Sequence, residues 1–145
     1  MNLLQLLLYI HIGSVILTIG PFFVLIPLVK KLRAAESQAQ KAYLETFWFT
    51  VRLTKHAGHV LVISGILLVI VGSWSWTTSW IVLPLILLLS SIFFLARAFS
   101  PILRKFGESD YDRGSLAQKL TRSIWIYIII MMAVLWFMVT KPVLW

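Results

Sequence analysis

Cysteine is missing altogether from the 145 residues, and Asp plus Glu number only 5. Without thiols the chain can form no disulfide, no thiolate zinc site, no iron–sulfur cluster and no cysteine nucleophile. Charge of either sign is scarce, at 12% of residues, about half the ~25% of an ordinary soluble domain. That is too little to cover a globule, since 60% of the residues are hydrophobic. Seven Trp, nine Phe and four Tyr are equally foreign to a disordered tail. What remains is an integral membrane protein.

Four apolar stretches are long enough to cross a bilayer, at about 3–29, 53–72, 79–98 and 122–141. They leave no room for a soluble domain, so residues 1–145 are read as one membrane-embedded unit. No basic residue precedes the first stretch, which is too long for a signal core, so a retained helix is expected. The expected fold is all-α, a transmembrane up-and-down four-helix bundle. The segment 33–50 is rich in helix formers, which predicts that the second span begins as a helix near Ser37. The third is expected to stop around Ser100-Pro101. Gly107–Gly114 reads as a polar turn, and Ser115 with Gln118 matches a capping box opening the last helix. Pro21 and Pro27 should kink the first helix.

Basic residues set the direction. Twelve of the 13 lie in the connections between spans one and two and between spans three and four or in the span ends that adjoin them, and only Lys141 lies at the other side. The positive-inside rule then places loops 30–52 and 99–121 in the cytoplasm and both termini outside, in a bacterial plasma membrane. This asymmetry accounts for the net charge of +8 without a nucleic-acid partner. The expected partners are the bilayer and its anionic lipids, with a homo-oligomer or a larger membrane complex left open. Trp74, Trp76, Trp80 and Trp145 on one side, and Trp48 and Trp125 on the other, read as interfacial anchors.

Within the spans the informative residues are those that lipid rejects. All five carboxylates lie outside them, which disfavours a transporter built on buried acids. His11 remains in the first span, and His59 and, more marginally, His56 in the second. At 1.5 Å rise per residue, His11 lies ~12 Å inside the outer hydrocarbon edge and ~18 Å above the inner one. Ser64 lies ~17 Å above the inner edge, Met131 and Met132 ~12–14 Å, and His59 only ~9 Å.

Two roles are open to His11. One is a hydrogen bond to Ser64, Ser90 or Ser91. The other is axial ligation of a b-type haem, the metal being held by His11, alone or with His59, Met131 or Met132 as the second ligand. The His11 and His59 levels differ by ~8–9 Å, so a methionine fits the heights better. Arg52, His56 and His59 share one helix face at i, i+4 and i+7. With Lys55 and Arg97 they could snorkel to headgroups or hold an anionic group, such as a haem propionate, a lipid phosphate or a quinone headgroup. Gly58 and Gly65 could admit a close neighbour on the second helix.

The stretch Leu8-Tyr9-Ile10-His11-Ile12-Gly13, continuing to Gly20-Pro21-Phe22-Phe23, resembles the opening of small bacterial multi-helix membrane proteins. These include CopD-type copper-resistance domains, HemJ-type protoporphyrinogen oxidases and an allied family of four-span proteins of unknown function. The last looks closest, and its second helix is similar to Leu61-Val-Ile-Ser-Gly65-Ile-Leu-Leu here. The HemJ-type resemblance implies haem at the position of His11. The lysine and histidine of later HemJ-type helices have no counterpart in the third span, which offers only Ser90, Ser91 and Arg97. A CopD-type role implies copper, yet the four methionines form no cluster. The expectation is therefore a haem-binding or quinone-binding membrane protein with a redox or accessory role. The alternative is a cofactor-free subunit or assembly factor of a larger complex.

Overall fold

The computed structural model describes residues 1–106 and 112–145. The described residues are helical throughout apart from short connections. The elements are α1 (Leu3–Ala34), α2 (Ser37–Val71), α3 (Ser79–Phe94), α4 (Ser100–Lys105) and α5 (Arg113–Thr140). A π-helical turn, Leu95–Phe99, joins α3 to α4, so that Ser79–Lys105 forms one 27-residue path. Among the described residues, four helices are long and apolar enough to cross a membrane: α1, α2, this composite and α5. The protein is a multi-pass all-helical membrane protein. One end of the bundle carries both termini and the α2–α3 loop; the other carries most of the basic residues. They are called here the terminal end and the basic end.

Each helix buries one stripe at the helical period. On α1 the buried stripe runs Leu7, Ser14, Thr18, Phe22, Leu25, Val29 and Leu32. On α2 it runs through Val51, Thr54, Gly58, Leu61, Ser64 and Leu68. The outward faces stay apolar, with Ile16, Phe23, Ile63, Phe93 and Ile129 exposed, as expected for helices bathed in lipid. α1 packs along both α2 and α5, and α3 packs along α5. α2 and α3, joined by the short loop, touch only sparsely.

The densest packing lies towards the basic end. Phe22 sits 4.1 Å from Tyr127 and 5.5 Å, edge-on, from Phe99, measured between ring centroids. The Tyr127 hydroxyl donates to the Thr18 carbonyl at 2.9 Å, so the one polar atom in this cluster is satisfied. Further out, Gln40 ties three segments together. Its amide donates to the Phe106 carbonyl at 2.6 Å, and its oxygen accepts from Arg113, whose other guanidinium nitrogen donates to Ala35 at 2.7 Å. The terminal end has its own clasp. Ser79 Oγ donates to the Pro142 carbonyl at 2.7 Å and accepts from the Leu144 N–H at 2.9 Å.

Two local expectations are corrected. The third span does not stop at Ser100-Pro101. Pro101 has no N–H for the carbonyl one turn back and its ring crowds that carbonyl. The wider π turn absorbs the misfit and the helix resumes with Pro101 in its first turn. The last helix does not open at Ser115 either. It begins at Arg113 under Asp112, whose side chain accepts from the Gly114 N–H at 3.1 Å. A carboxylate facing free N–H groups at the positive end of a helix is a stronger start signal than a serine two residues inside. Most of the expected polar turn, 107–111, lies outside the described residues. The α2 helix does begin at Ser37 and runs unbroken to Val71.

Candidate binding cavity

Where α2 and α3 touch sparsely, the terminal half of the bundle holds a partly open cavity of about 350 Å³. Its walls come from all four long helices, and almost every lining side chain is aliphatic or aromatic. The exceptions are His11 on α1 and Lys141 just beyond α5. Gly65 on α2 and Pro84 on α3 are among the lining residues. The volume falls in the lower part of the ~300–1,000 Å³ range of small-molecule sites.

His11 is fixed by a short chain of hydrogen bonds. Its Nδ1 lies 3.0 Å from Ser64 Oγ, and Ser64 Oγ lies 3.1 Å from the Leu61 carbonyl. A hydroxyl has one proton. The carbonyl can only accept, so Ser64 donates to Leu61 and accepts from His11. That assigns the His11 proton to Nδ1 and leaves Nε2 with a free lone pair. Among the described residues Ser64 is the side chain that hydrogen-bonds the ring, and the Leu61 carbonyl also lies within its hydrogen-bonding reach. A Cβ on Gly65 would lie 3.2 Å from His11 Cε1. A side chain here would press on the imidazole, which glycine lets pack close to α2. Met131, 1% exposed, lines the same cavity from α5, as does Met138 two turns further on.

The mouth at the terminal end is aromatic and cationic. Gly72 ends α2, and a Cβ there would come within 3.0 Å of the Trp74 ring, so glycine lets Trp74 fold back over the helix end. Trp74 and Trp80 meet edge to face at 5.5 Å. Lys141 takes a left-handed conformation (φ 46°) as it caps α5. Its ammonium lies 5.0 Å from the Trp80 ring centroid and 5.3 Å from that of Trp74, within cation–π range.

The other sequence candidates lie elsewhere. Arg52, Lys55, His56 and His59 are all exposed, on the face of α2 opposite the buried stripe. Arg52, His56 and His59 do share a face, but it looks away from the cavity, which none of them lines. Arg97 is exposed and stacks on Phe93 at 4.9 Å. Of the candidates, the cavity brings together His11 and Met131 only. Ser90 and Ser91 bond the Ile86 and Leu88 carbonyls of their own helix rather than His11. Sequence reasoning missed Lys141 as a wall residue, although its position as the lone basic residue at the terminal end was the available signal. It also passed over Met138.

Among the described residues no group of three or more His, Asp or Glu side chains could hold a bare metal ion. A haem poses a smaller demand, because the porphyrin supplies four nitrogens and one or two axial protein ligands complete the iron. The free Nε2 of His11, its second nitrogen tied to a hydroxyl, and a thioether on the facing helix fit that demand. No family model, no curated protein and no solved structure matches the chain.

Proposed function

We propose that this protein holds a b-type haem in the terminal half of its bundle, with His11 as axial ligand, and serves in electron transfer or as a redox accessory to a larger membrane enzyme. One observation carries the reading: the Ser64 bond commits the His11 proton to Nδ1 and leaves Nε2, at the wall of an apolar cavity, as an electron-pair donor. Imidazoles that ligate metals characteristically donate their other N–H in this way. Met131 is the candidate second ligand, since it shares the cavity and His59 does not. The anionic edge of such a cofactor would meet Lys141 rather than Arg52, Lys55 or Arg97, because Lys141 is the cation that lines the cavity. The resemblance of Leu8–Gly13 to the HemJ-type first helix points the same way. The charge asymmetry supports a bacterial plasma membrane with loops 30–52 and 99–121 in the cytoplasm.

A second reading is favoured by the sparse contact between α2 and α3. A seam along the cavity suits a ligand that arrives from the bilayer, such as a quinone. With its lone pair free, Nε2 would accept a hydrogen bond from the hydroxyl of the reduced, quinol form. The cofactor-free alternative draws on the His11–Ser64 bond itself, which already satisfies one ring nitrogen.

Visible spectra of the detergent-purified protein, oxidised and dithionite-reduced, separate these readings. A haem protein shows a Soret band that shifts on reduction and that His11→Ala abolishes. A colourless protein that also fails to take up added haemin overturns the haem assignment. Saturable binding of a quinol by that colourless protein would establish the second reading.

A further inference from the structure

A second recess, of about 380 Å³, opens on the opposite half of the molecule between the last turns of α1 and the early turns of α5. Its polar lining is Lys30 and Arg33 from α1 and Gln118, Thr121 and Arg122 from α5. Val29 and Ala117 form its apolar floor. Three cations therefore converge with an amide and a hydroxyl, and no carboxylate lines the recess. Among the described residues no ion pair neutralises Lys30, Arg33 or Arg122. The neighbouring Arg113 differs, because its guanidinium is already engaged with Ala35 and Gln40.

The position is as telling as the charge. Trp125 is exposed one turn along α5 from Thr121 and Arg122. Indole rings favour the headgroup zone, so the recess lies at the level of lipid phosphates. Its floor meets the apolar flank of two spanning helices, where an acyl chain would run. The Arg33 guanidinium reaches the start of α5, where its Nη2 lies 3.3 Å, and Asp112 Oδ1 3.5 Å, from where a Gly114 Cβ would stand; Arg33 thus has one carboxylate nearby, while none lines the recess itself.

The geometry points to a site for the phosphodiester headgroup of an anionic phospholipid, clasped between α1 and α5 by Lys30, Arg33 and Arg122. Guanidinium groups match phosphate oxygens in paired hydrogen bonds. Gln118 and Thr121 add neutral donors on the α5 side. Such a lipid would bridge two helices whose polar contacts at this level are otherwise few. This site is independent of the haem reading: it uses different residues, at the opposite end of the bundle.

Native mass spectrometry of the full-length protein, released from nanodiscs of mixed phosphatidylglycerol and phosphatidylcholine, tests it directly. The wild type is expected to retain phosphatidylglycerol preferentially. The Arg33→Ala/Arg122→Ala variant should bind it roughly 25-fold more weakly, at about five-fold for each cation. The Lys41→Ala/Arg104→Ala variant removes the same charge at positions of the same end that do not line the recess and should behave as wild type. Equal losses in the two variants, or no preference in the wild type, would mean diffuse attraction to the membrane surface and overturn the site. Inorganic phosphate serves as the competing probe. If millimolar phosphate displaces the lipid completely, the site recognises a free anion rather than a phospholipid, and the proposal fails. If the arginine variant does not fold, the wild-type preference and the phosphate competition still decide.

Discussion

The two halves of the bundle are made of the same residue types but are packed to different ends. Towards the basic end Phe22, Phe47, Phe99, Leu32 and Leu120 are completely buried, and the Phe22 ring is held by Phe99 and Tyr127. Towards the terminal end the same four helices surround an apolar cavity with a single imidazole in its wall. In lipid, helices are held together by close packing and interhelical hydrogen bonds rather than by exclusion of water. A bundle that forgoes packing in one half must therefore gain its cohesion in the other. The difference separates a structural half from a half that can be kept open for a ligand.

Three substitutions sharpen or break this contrast. Phe22→Ala should be the most damaging, costing about 3–5 kcal/mol, because it empties the point where α1, α5 and the π turn meet. Thermal melting in detergent would show it as a large loss of stability. Leu88→Ala, on the cavity wall of α3, should cost only about 2 kcal/mol, the low end for leucine truncation. A side chain facing an existing void has fewer partners to lose. If Leu88→Ala proves as harmful as Phe22→Ala, the terminal half is packed as tightly as the basic half and the contrast fails. Ser64→Ala should have the smallest effect on stability, about 0.6 kcal/mol, the average for an interhelical hydrogen bond. Its effect on a haem should be plain all the same, because the His11 ring would lose the acceptor that fixes its tautomer. A changed Soret position with only a slightly lowered melting temperature is the expected signature.

Much of the architecture was legible in advance, for reasons that can be named. Span length and charge placement follow from bilayer thickness and from the cost of burying ions, and both are written in composition. The level of Ser64 follows from a fixed rise per residue, and the 3.0 Å contact with His11 agrees with it. The direction in which side chains point was not legible. In 52–59 the shared face of Arg52, His56 and His59 was legible, but a basic face at that depth suits outward headgroups and an inward anionic ligand alike, so nothing declared that it would face away from the bundle while Thr54 and Gly58 turned inward. Pro101 signalled a helix end, but a π turn offered a third outcome besides stopping and kinking. Lys141 was visible as an exception to the charge rule, and only the fold of the α5 cap shows that it reaches the Trp74 and Trp80 rings. Thr54 remains the one buried side-chain oxygen without a partner among the described residues.

The loose seam between α2 and α3 changes what concentration means for this protein. A guest passing between those helices is drawn from the two-dimensional reservoir of the surrounding leaflet, so occupancy follows its mole fraction in lipid and not its molarity in water. Transfer into micelles dilutes that reservoir at once. Preparations made with bilayer-retaining polymers should therefore keep a resident molecule that stepwise detergent washing strips away.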